Sequence, residues 1–579
     1  MAFDLSCTVR NNNVDIQSNL PQLNYQHTNI ISHVSNNMSY KKPEWNFPAE
    51  SKSVGLNELW DRANQLAAFL RVSGIKPGDS IAFVLNNSSE YVCWLLAIWM
   101  IGAVAVPIGA QGSQINGLIQ QIKSIHEICN IKLLIYEKNE LVDSLIDPAF
   151  SNIKPIFYQI DLDEGSCLSV NYTEIKTDDV AVLQFTSGST GNPKGVIVTH
   201  KMMMEQLAQL LGNHCYSLRD NVPKSAASWL PVNHDMGLFI GVLYPLYSFT
   251  KNILAPPTFY LRKPKRWFEL MSSQNVDSCF MTNSVLFSSL PFIEQMSVNG
   301  SLDLSKLHLY IAAEKVSAKV LRRAYKAFEG IKLSSDQFHI GYGMAENALG
   351  CTYTPHGSIK TVWIEVTHDS KVTITNSKNP KALELVSVGV PNLDHMISIH
   401  NEQDIELPDL HIGEIQIDSP CVTPGYLNNP EESKSKLKDG RLHTGDLGFI
   451  YKNEIYFYSR KDDLIVTFGR NLVPDDIELA VEELSFIGLG KSCLIAIENP
   501  VSSVNELHLL IESNKNRIRN KVSDHKQLIR KTVLDVADAI INHIHFCEKG
   551  AIEKTTSGKK RRKVIKNRIT NNEINYMEI

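Results

Sequence analysis

The segment FTSGSTGNPKG, residues 185–195, constrains this chain more than any other feature. An apolar run, AVLQF, leads into it and predicts a buried strand that feeds a loop. Glycines in the loop let backbone N–H groups approach an anion, hydroxyl side chains add donors, and Lys194 adds a positive charge. The spacing differs from that of a P-loop, because Lys194 follows Gly191 by three residues and is followed by Gly195. The segment therefore predicts a phosphate-binding loop of another lineage.

The length and the composition bound the class of protein. At 579 residues the chain exceeds what one hydrophobic core supports, so we expect two or more domains. A formal net charge of −5 and a pI near 6.4 lack the strong basic excess of nucleic-acid-binding domains, so we expect no nucleic-acid partner. The ten cysteines, from Cys7 to Cys547, stand singly, without a CxxC pair. That distribution predicts reduced thiols and a cytoplasmic enzyme.

The order of apolar and polar segments predicts an α/β fold. From Gly55 onward, amphipathic helical patterns alternate with apolar runs such as SIAFVL, which indicates helices packed against a mostly parallel sheet. We predict a large N-terminal domain of sheets flanked by helices over 46–461 and a small α/β C-terminal domain over 462–579, joined by a hinge. Residues 1–45, rich in Asn and Ser, are expected to form a loosely held extension of unknown role. Within 350–389, alternation on either side of the letters HDSK predicts a β-hairpin.

One apolar segment, residues 91–108, has nearly the length of a membrane span. Asn87 and Glu90 resemble a capping pair that begins a helix, Gly102 ends it, and Pro107 closes a short strand. Because the helix is then too short to cross a bilayer, we predict a buried core helix and no membrane span. The first residues also lack the charged and apolar regions of a secretory signal, which again favours the cytoplasm.

Three further motifs follow the glycine-rich loop: GYGMAE at 341–346, HTGDLG at 443–448 and KTTSGKKRRK at 554–563. Together and in this order they resemble the adenylate-forming superfamily, which includes acyl-CoA synthetases, luciferases and the adenylation domains of peptide synthetases. The likeness runs over residues 60–562. It implies an enzyme that uses ATP and Mg²⁺ to convert an acid into an acyl-adenylate with release of pyrophosphate. Taken alone, the basic run at 554–563 is typical of a solvated tail.

The resemblance implies that the last motif is catalytic. Lys559 falls on the family's lysine that bridges the substrate carboxylate and the α-phosphate, and the flexible Gly558 beside it gives the ammonium reach. Asp462 falls on the hinge about which the C-terminal domain turns between adenylation and thioester formation. Loss of such a preorganised cation is expected to raise the barrier by about 3 to 4 kcal/mol, as for one oxyanion-hole donor.

The other motifs imply a nucleotide site. Tyr342 is expected to stack on adenine, Asp446 to bind the ribose hydroxyls, and Arg460 to lie near the ribose and phosphates. Glu346, which is also assigned to catalysis, and Thr190 are expected to hold Mg²⁺. The positions that the resemblance assigns to ATP are Thr186, Ser187, Gly188, Ser189, Thr190, Gly191, Lys194, Ala313, Glu314, Gly341, Tyr342, Gly343, Met344, Ala345, Asp446 and Arg460.

The segment SWLPVNHDMGLFIG, residues 228–241, bears on which acid is activated. A polar His-Asp pair precedes an apolar stretch, and the motif resembles the fatty acyl-AMP ligase branch of the superfamily, which implies a medium- or long-chain fatty acid. The positions expected to bind it are His234, Asp235, Met236, Gly237 and Ile240. His234 is also assigned to catalysis. From the residues alone a capped core helix is the alternative, and an amino acid is the alternative substrate class, with Asp235 binding its ammonium group.

In the same branch, an insertion between the Tyr-Gly-x-x-Glu element and the next Gly-x-Pro hampers the domain rotation that admits coenzyme A. Here that interval ends at Gly389 and Pro391 and contains the predicted hairpin. The resemblance therefore implies transfer of the acyl group to the phosphopantetheine of an acyl carrier protein, in polyketide or lipopeptide assembly. A fatty acyl-CoA ligase and a catalytically silent nucleotide-binding regulator remain open as alternatives.

Overall fold

The architecture comes from a computed structural model of the full chain. It describes residues 5–7, 14–16, 29–39, 41, 43–109, 115–137, 154–157, 172–187, 193–217, 223–299, 302–355, 357, 359–367, 369–377, 379, 382–467, 470–488, 490–498, 505–514, 518, 521–537, 539–554 and 560–577. The strands in chain order are β1 (Leu5–Cys7), β2 (Val14–Ile16), β3 (Glu44–Phe47), β4 (Lys52–Gly55), β5 (Ser80–Val84), β6 (Val104–Pro107), β7 (Leu133–Tyr136), β8 (Lys154–Phe157), β9 (Val180–Ser187), β10 (Pro193–Thr199), β11 (Ser225–Ser228), β12 (Lys251–Leu254), β13 (Ser278–Met281), β14 (His308–Ile311), β15 (Phe338–Gly343), β16 (Gly350–Tyr353), β17 (Thr361–Val366), β18 (Val372–Thr375), β19 (Leu383–Val386), β20 (Val390–Pro391), β21 (Met396–His400), β22 (Gly413–Asp418), β23 (Leu437–Lys438), β24 (Arg441–Tyr451), β25 (Glu454–Arg460), β26 (Ile465–Thr467), β27 (Arg470–Leu472), β28 (Ser492–Glu498), β29 (Asn505–Glu512) and β30 (His543–Cys547).

Helices alternate with the strands through most of the chain. They are α1 (Ile30–Asn37), α2 (Leu56–Val72), α3 (Ser89–Met100), α4 (Ile115–Cys129), α5 (His200–Ser217), α6 (Asp235–Leu238), α7 (Tyr244–Ser248), α8 (Pro257–Arg262), α9 (Pro264–Ser273), α10 (Asn283–Asn299), α11 (Ala318–Glu329), α12 (Pro430–Lys436), α13 (Pro474–Glu482), α14 (Val522–Ala537) and α15 (Arg562–Thr570). A π turn, Phe239–Leu243, joins α6 to α7.

Two large sheets organise the N-terminal region. The first has six strands in the order β10-β9-β6-β5-β7-β8, and all its pairs are parallel except β10 with β9. The second has nine strands in the order β20-β16-β15-β14-β13-β11-β12-β3-β4, parallel from β15 to β3 and antiparallel at both ends. Parallel strands joined through helices are what the alternating pattern predicted, so the α/β class is confirmed.

The apolar segment at 91–108 is core, as predicted. Every residue of α3 after Glu90 is buried, and Gly102 ends the helix with a φ of 71°. The predicted cap is wrong, because Ser88 caps the helix by accepting from the Tyr91 N–H. Asn87 is used elsewhere: its amide donates to the carbonyls of Leu230 and Ala255 at 2.8 Å each. Within the described ranges, no helix has the length and apolar character needed to cross a bilayer.

The expected loose extension is also wrong for part of its length. In α1, Ile30, Ile31 and Val34 are buried to within 2 % of their surface. His33 bonds the Tyr247 carbonyl at 2.8 Å and stacks on the Tyr247 ring. Because β3 then pairs with β12, the chain before residue 48 contributes one helix and one strand to the main core. The prediction from the Asn- and Ser-rich composition was wrong here because the packing of a few apolar side chains is enough to hold one short helix against the core.

A small three-stranded sheet, β18-β17-β19, forms where the hairpin was predicted. Its strands β17 and β18 pair antiparallel, with Ile364 opposite Ile374, so the hairpin is confirmed. Ile364 and Val372 are buried in a cluster with Phe449 and Tyr456 of the neighbouring five-stranded sheet, which runs β21-β22-β24-β23 with β25 against β24.

The C-terminal region has its own core. Strands β28, β29 and β30 form a sheet whose two faces carry separate apolar clusters, both built from residues from Ile465 onward. This separation supports the domain boundary near residue 462, which stays a prediction. Every cysteine whose side chain the structure describes is free and buried, and burial raises the pKa of Cys129 to about 12, in agreement with inert, reduced thiols.

Candidate active site

The glycine-rich segment is the connection of a β-hairpin. Strands β9 and β10 pair antiparallel, which places Lys194 directly opposite Thr186. Glycine at position 195 avoids a tight contact, because a Cβ there would approach the Phe185 ring to 3.0 Å. The loop between the strands, with Gly188, Ser189, Thr190 and Gly191, lies outside the described residues, as does the Ser187 side chain.

Lys194 has two partners that the sequence did not reveal. Its Nζ lies 2.5 Å from Oε1 of Glu432 and 5.9 Å from the centre of the Tyr426 ring. Glu432 lies in the first turn of α12, where Asn429 caps the helix. The carboxylate of Glu432 fixes the position of this partly buried ammonium, and a phosphate oxygen could take the place of the carboxylate.

Tyr426 and Glu432 reach the site because their segment docks on β10. The Leu427 N–H donates to the Gly195 carbonyl at 2.8 Å, and the Ile197 N–H donates to the Gly425 carbonyl at 3.1 Å. Asn429 caps α12 and Pro430 begins it, but no local signal shows that the residues before this helix pair with β10. Sequence reasoning therefore missed both side chains.

Glu346 lies on a short 3₁₀ turn, Ala345–Asn347, just after β15. Its Oε1 accepts from the Tyr426 hydroxyl at 2.8 Å, and its carbonyl accepts from the Thr423 N–H at 2.8 Å. Burial, and then the Glu346 carboxylate, raises the pKa of Tyr426, so this phenol remains a donor. A carboxylate with one oxygen held by a phenol keeps acceptor capacity for a hard cation, so Glu346 fits a Mg²⁺ ligand.

The turn that carries Glu346 is held by Asn347, a second residue that sequence reasoning missed. Asn347 is buried, and its amide donates to the Gly350 carbonyl at 2.9 Å and lies 2.8 Å from His395 Nε2. Its oxygen accepts from the Ser419 hydroxyl at 2.6 Å. Gly343 is equally constrained, since a Cβ would lie 1.9 Å from the Leu349 carbonyl oxygen. These contacts place Glu346 with little freedom.

Among the other positions of this motif, Ala345 packs with Val196 and Tyr426 in a small apolar cluster. Met344 packs, partly buried, against the main core, and its N–H donates to the Leu349 carbonyl. Gly341 pairs with Tyr353 in the β15–β16 ladder. Ala345, Met344 and Gly341 thus have packing or backbone contacts that hold the chain around the turn that carries Glu346.

The structure brings together the three residues expected around adenine and ribose. The Tyr342 hydroxyl donates to Asp446 Oδ2 at 2.8 Å, and Arg460 Nε lies 3.7 Å from Asp446 Oδ1. Asp446 and Arg460 are neighbours across β24 and β25. Burial, and then the Asp446 carboxylate, raises the pKa of Tyr342, so the phenol keeps its proton. Phe457 lies 6.2 Å from the Tyr342 ring and was not predicted.

Ala313 has a left-handed backbone, with a φ of 69°. For alanine this conformation costs roughly 1 kcal/mol or more, and such strain concentrates at functional sites. The next residue, Glu314, uses its carboxylate to accept from the N–H and the hydroxyl of Ser284, at 2.7 and 2.9 Å. It thereby caps the start of α10, so its side chain stabilises the segment that presents Ala313.

The segment after β11 forms one buried helix with a π turn in its middle. His234 is the N-cap residue of α6, and Asp235 Oδ1 accepts from the Met236 N–H at 2.7 Å. Gly237 is required, because a Cβ would lie 2.0 Å from the Pro231 carbonyl oxygen. Ile240 lies in the π turn, Phe239–Leu243, which is buried throughout. Single π turns recur at functional sites, so a polar start that leads into apolar core agrees with the predicted acid-binding segment.

The predicted catalytic Lys559 lies outside the described residues, but both ends of its loop are described. Lys554 and Lys560 form an isolated β-bridge. Lys560 Nζ lies 2.6 Å from Glu478 and 3.1 Å from Glu482, both on α13. Burial alone would lower the pKa of Lys560, but these two carboxylates raise it. Arg562 pairs with the same Glu478 and with Asp475.

The predicted hinge, Asp462, is exposed in a 3₁₀ turn, Lys461–Asp463. Close to it, the two regions are joined by ion pairs. Lys315 Nζ, beside the strained Ala313, lies 2.8 Å from Asp476 Oδ1 of α13, and it donates to the Tyr458 carbonyl at 3.1 Å. Lys319 pairs with Glu483.

Known proteins resemble this chain in sequence and in fold. Residues 36–427 match the model of the AMP-binding enzyme family. The long-chain-fatty-acid–AMP ligase FadD26 of Mycobacterium bovis is 27 % identical over 557 residues, 88 % of this chain and 90 % of its own. The 4-hydroxyphenylalkanoate adenylyltransferase of Mycobacterium tuberculosis is 26 % identical over 535 residues, 86 % of this chain and 84 % of its own.

A solved fatty acyl-adenylate ligase from L. pneumophila, in complex with acyl adenylate and pyrophosphate, superposes with a TM-score of 0.71 and 26 % identity, covering 95 % of this chain and 97 % of its own. A structure from a study of fatty acyl-adenylate ligases from E. coli and L. pneumophila shares the fold, with a TM-score of 0.83 at 23 % identity over 95 % and 98 % of the two chains. The family match spans well over half of the sequence and includes Lys194, Glu346 and Tyr426. The chain belongs to the AMP-binding enzyme family.

Proposed function

We propose that this chain is a fatty acyl-AMP ligase that activates a medium- or long-chain fatty acid and passes it to an acyl carrier protein. The observation that carries the proposal is that Lys194 and Glu346 contact the same Tyr426, while Tyr342, four residues before Glu346, holds Asp446. Relatives named as fatty-acid AMP ligases, matched over most of both chains, support the fatty-acid class.

In the first half-reaction a carboxylate oxygen attacks the α-phosphorus of ATP, and the bond to the β-phosphate oxygen breaks. Lys194 meets the phosphates as a fixed positive charge, Asp446 accepts from the ribose hydroxyls, and Lys559 approaches the negative charge that develops at the α-phosphate. Bound Mg²⁺ would supply charge neutralisation on the phosphates, and Glu346 and Thr190 would hold it. The products are acyl-AMP and pyrophosphate.

In the second half-reaction a thiolate attacks the acyl carbonyl and AMP leaves. The choice of a carrier protein over coenzyme A is supported by the position of the β17–β19 sheet. Its cluster includes Val473 and Leu464, which follow the predicted hinge, and Arg322 of α11 pairs with Glu384 in β19. A sheet tied to both sides of the hinge restricts the rotation that opens the thiol path.

The experiment is ATP–pyrophosphate exchange with a panel of fatty acids and one amino acid, followed by thioester assays with coenzyme A and holo carrier protein. We expect exchange with fatty acids, and thioester on the carrier in excess over acyl-CoA. Absence of exchange with every fatty acid contradicts the proposal, and equal acyl-CoA formation favours the acyl-CoA ligase instead.

A deletion of residues 362–375 tests the insertion separately. It should raise turnover with coenzyme A, although it uncovers Phe449 and therefore needs a check of folding. Arg322→Ala, which removes only the pair with Glu384, is the milder companion and should change turnover in the same direction. A folded deletion variant without any gain contradicts the role of the insertion.

A further inference from the structure

The C-terminal sheet carries a group of polar side chains that the adenylation chemistry does not use. Strand β29 reads NELHLLIE, and β30 reads HIHFC. These strands are parallel neighbours, with His508 opposite His543. Because side chains alternate along a strand, Glu506 and His508 share one face with His543 and His545.

The two faces of this sheet differ sharply. On one side Leu507, Leu509 and Ile511 pack with Ile529 and Val533 of α14. On the other side α15 covers only the far end of the strands, where Leu510 and Cys547 are buried with Ile565 and Ile569. The near end of that second face is the place where the histidines and the glutamate lie.

The potential ligand atoms are already close together. One ligand atom from each of Glu506, His508 and His543 lies within 4.8 Å of the other two. His543 Nε2 lies 3.0 Å from Glu506 Oε2. Tetrahedral coordination at about 2.0 to 2.2 Å places ligand atoms ~3.3 Å apart, so small side-chain rotations close the site.

His545 supports the arrangement from the next position. Its Nε2 lies 3.1 Å from His508 Nδ1, and its ring stacks on Tyr576 at 5.0 Å. A hydrogen bond from the second ring nitrogen is how proteins orient a metal-binding imidazole.

We propose that Glu506, His508 and His543 form a binding site for a borderline divalent metal ion of the Zn²⁺ type, which ties β29 to β30 on the C-terminal domain. Two imidazoles and one carboxylate suit Zn²⁺ rather than Mg²⁺, and three protein ligands leave one position for water or another ligand. The site is separate from Glu346 and Thr190, and it does not depend on the proposed function.

The test is calorimetric titration of the full-length protein with Zn²⁺, in buffer without ATP and Mg²⁺. We expect the unsubstituted protein to bind one equivalent of Zn²⁺ at this site. In His543→Ala the affinity for that Zn²⁺ ion should fall at least about 100-fold. His543 is 46 % exposed, so its replacement should leave the fold intact. Glu506→Gln is the second ligand variant, and His525→Ala, on α14 and stacked on Phe486, is the control.

Two further readouts make the result decisive. Zn²⁺ should raise the melting temperature of the unsubstituted protein and of His525→Ala, but not that of His543→Ala. Co²⁺ should give the visible absorption of a four-coordinate site in the same two proteins only. Identical isotherms for the unsubstituted protein, His543→Ala and Glu506→Gln would overturn the proposal, as would Zn²⁺ binding that His525→Ala reduces equally.

Discussion

The predicted nucleotide cradle, formed by Lys194, Tyr342, Glu346 and Asp446, and the predicted lysine loop, residues 554–560, place charged groups in different ways. In the cradle, the Tyr426 hydroxyl holds Glu346 and the Tyr342 hydroxyl holds Asp446, each from another segment of the N-terminal region. In the C-terminal region, the loop that contains Lys559 ends at Lys560, and Lys560 and Arg562 pair with carboxylates of α13. If Lys559 moves as predicted, its loop moves together with these partners, because they belong to the same region.

The links between the two regions are of a third kind. Lys315–Asp476 and Lys319–Glu483 are ion pairs at the boundary, with the lysine side chains 14 % and 68 % exposed. The Lys319 pair is exposed enough to exchange readily with water, whereas the Lys315 pair is largely covered. We therefore predict that the exposed pair yields first if the boundary opens.

The largest effect is expected for Glu478→Ala, which leaves Lys560 and Arg562 without their shared buried carboxylate. Removal of one partner from a buried ion pair costs about 3 to 5 kcal/mol, so the free energy of unfolding of the C-terminal region should fall by that amount. Chemical denaturation measures it. Glu553→Ala is the control, because its pair with Arg561 is more exposed and should contribute less than about 1 kcal/mol. Equal effects would remove the argument that α13 anchors the loop.

Lys559→Ala should abolish acyl-AMP formation, with a barrier increase of about 3 to 4 kcal/mol, and spare the transfer of preformed acyl-AMP to a carrier thiol. Pyrophosphate release and a separate transfer assay measure the two half-reactions. Lys563→Ala, an exposed lysine at the start of α15, should leave both unchanged. If both half-reactions fell equally in Lys559→Ala, the lysine would not be specific to adenylation.

Asn347→Ala tests how the cradle is held. It removes hydrogen bonds to the Gly350 carbonyl, His395 and Ser419, and buried losses of this kind cost about 1 to 3 kcal/mol. Because the turn carries Glu346, we expect kcat/KM for ATP to fall. The KM for the fatty acid should change less. Steady-state kinetics with each substrate varied decides this, and a loss confined to the fatty acid would show that the turn serves the other substrate.

The smallest effect is expected for Lys319→Ala at the boundary. Global stability should change by less than about 1 kcal/mol, since the Lys319 side chain that pairs with Glu483 is 68 % exposed. Cleavage near the exposed Asp462 in limited proteolysis should nevertheless become several-fold faster, because the boundary opens more often. Lys332→Ala, which breaks an exposed pair with Asp303 within the N-terminal region, is the control. Unchanged cleavage in both variants would mean that the ion pair does not hold the boundary.

Several features could be predicted because their signals are local. The strand before the glycine-rich loop, the burial of α3 and the β17–β18 hairpin follow from patterns within a few residues. Tyr342, Asp446 and Arg460 were predicted to share one site through resemblance to a family, and the structure brings them together. Periodicity alone would not have joined them, since they lie on different strands far apart in the chain.

Other features could not be predicted, because they depend on contacts between residues that are distant in the sequence. Glu432 pairs with Lys194 across more than two hundred residues of chain, and Asn347 meets Ser419 only after β22 and β15 are in place. Ser88 displaced Asn87 as a cap because Asn87 finds carbonyl partners on another sheet. In each case a side chain bonds a partner that is distant in sequence. Such partners come within reach only in the folded chain, so local sequence could not identify them.

By itself, the order of apolar runs, glycines and charges in this chain determined an α/β architecture and a loop suited to phosphate, because backbone periodicity and glycine geometry act over short distances. The tertiary structure decided which carboxylate faces Lys194, which phenols hold Glu346 and Asp446, and which histidines meet on the C-terminal sheet. Those pairings depend on strand order and register, which are set by burial of the whole core rather than by neighbouring residues.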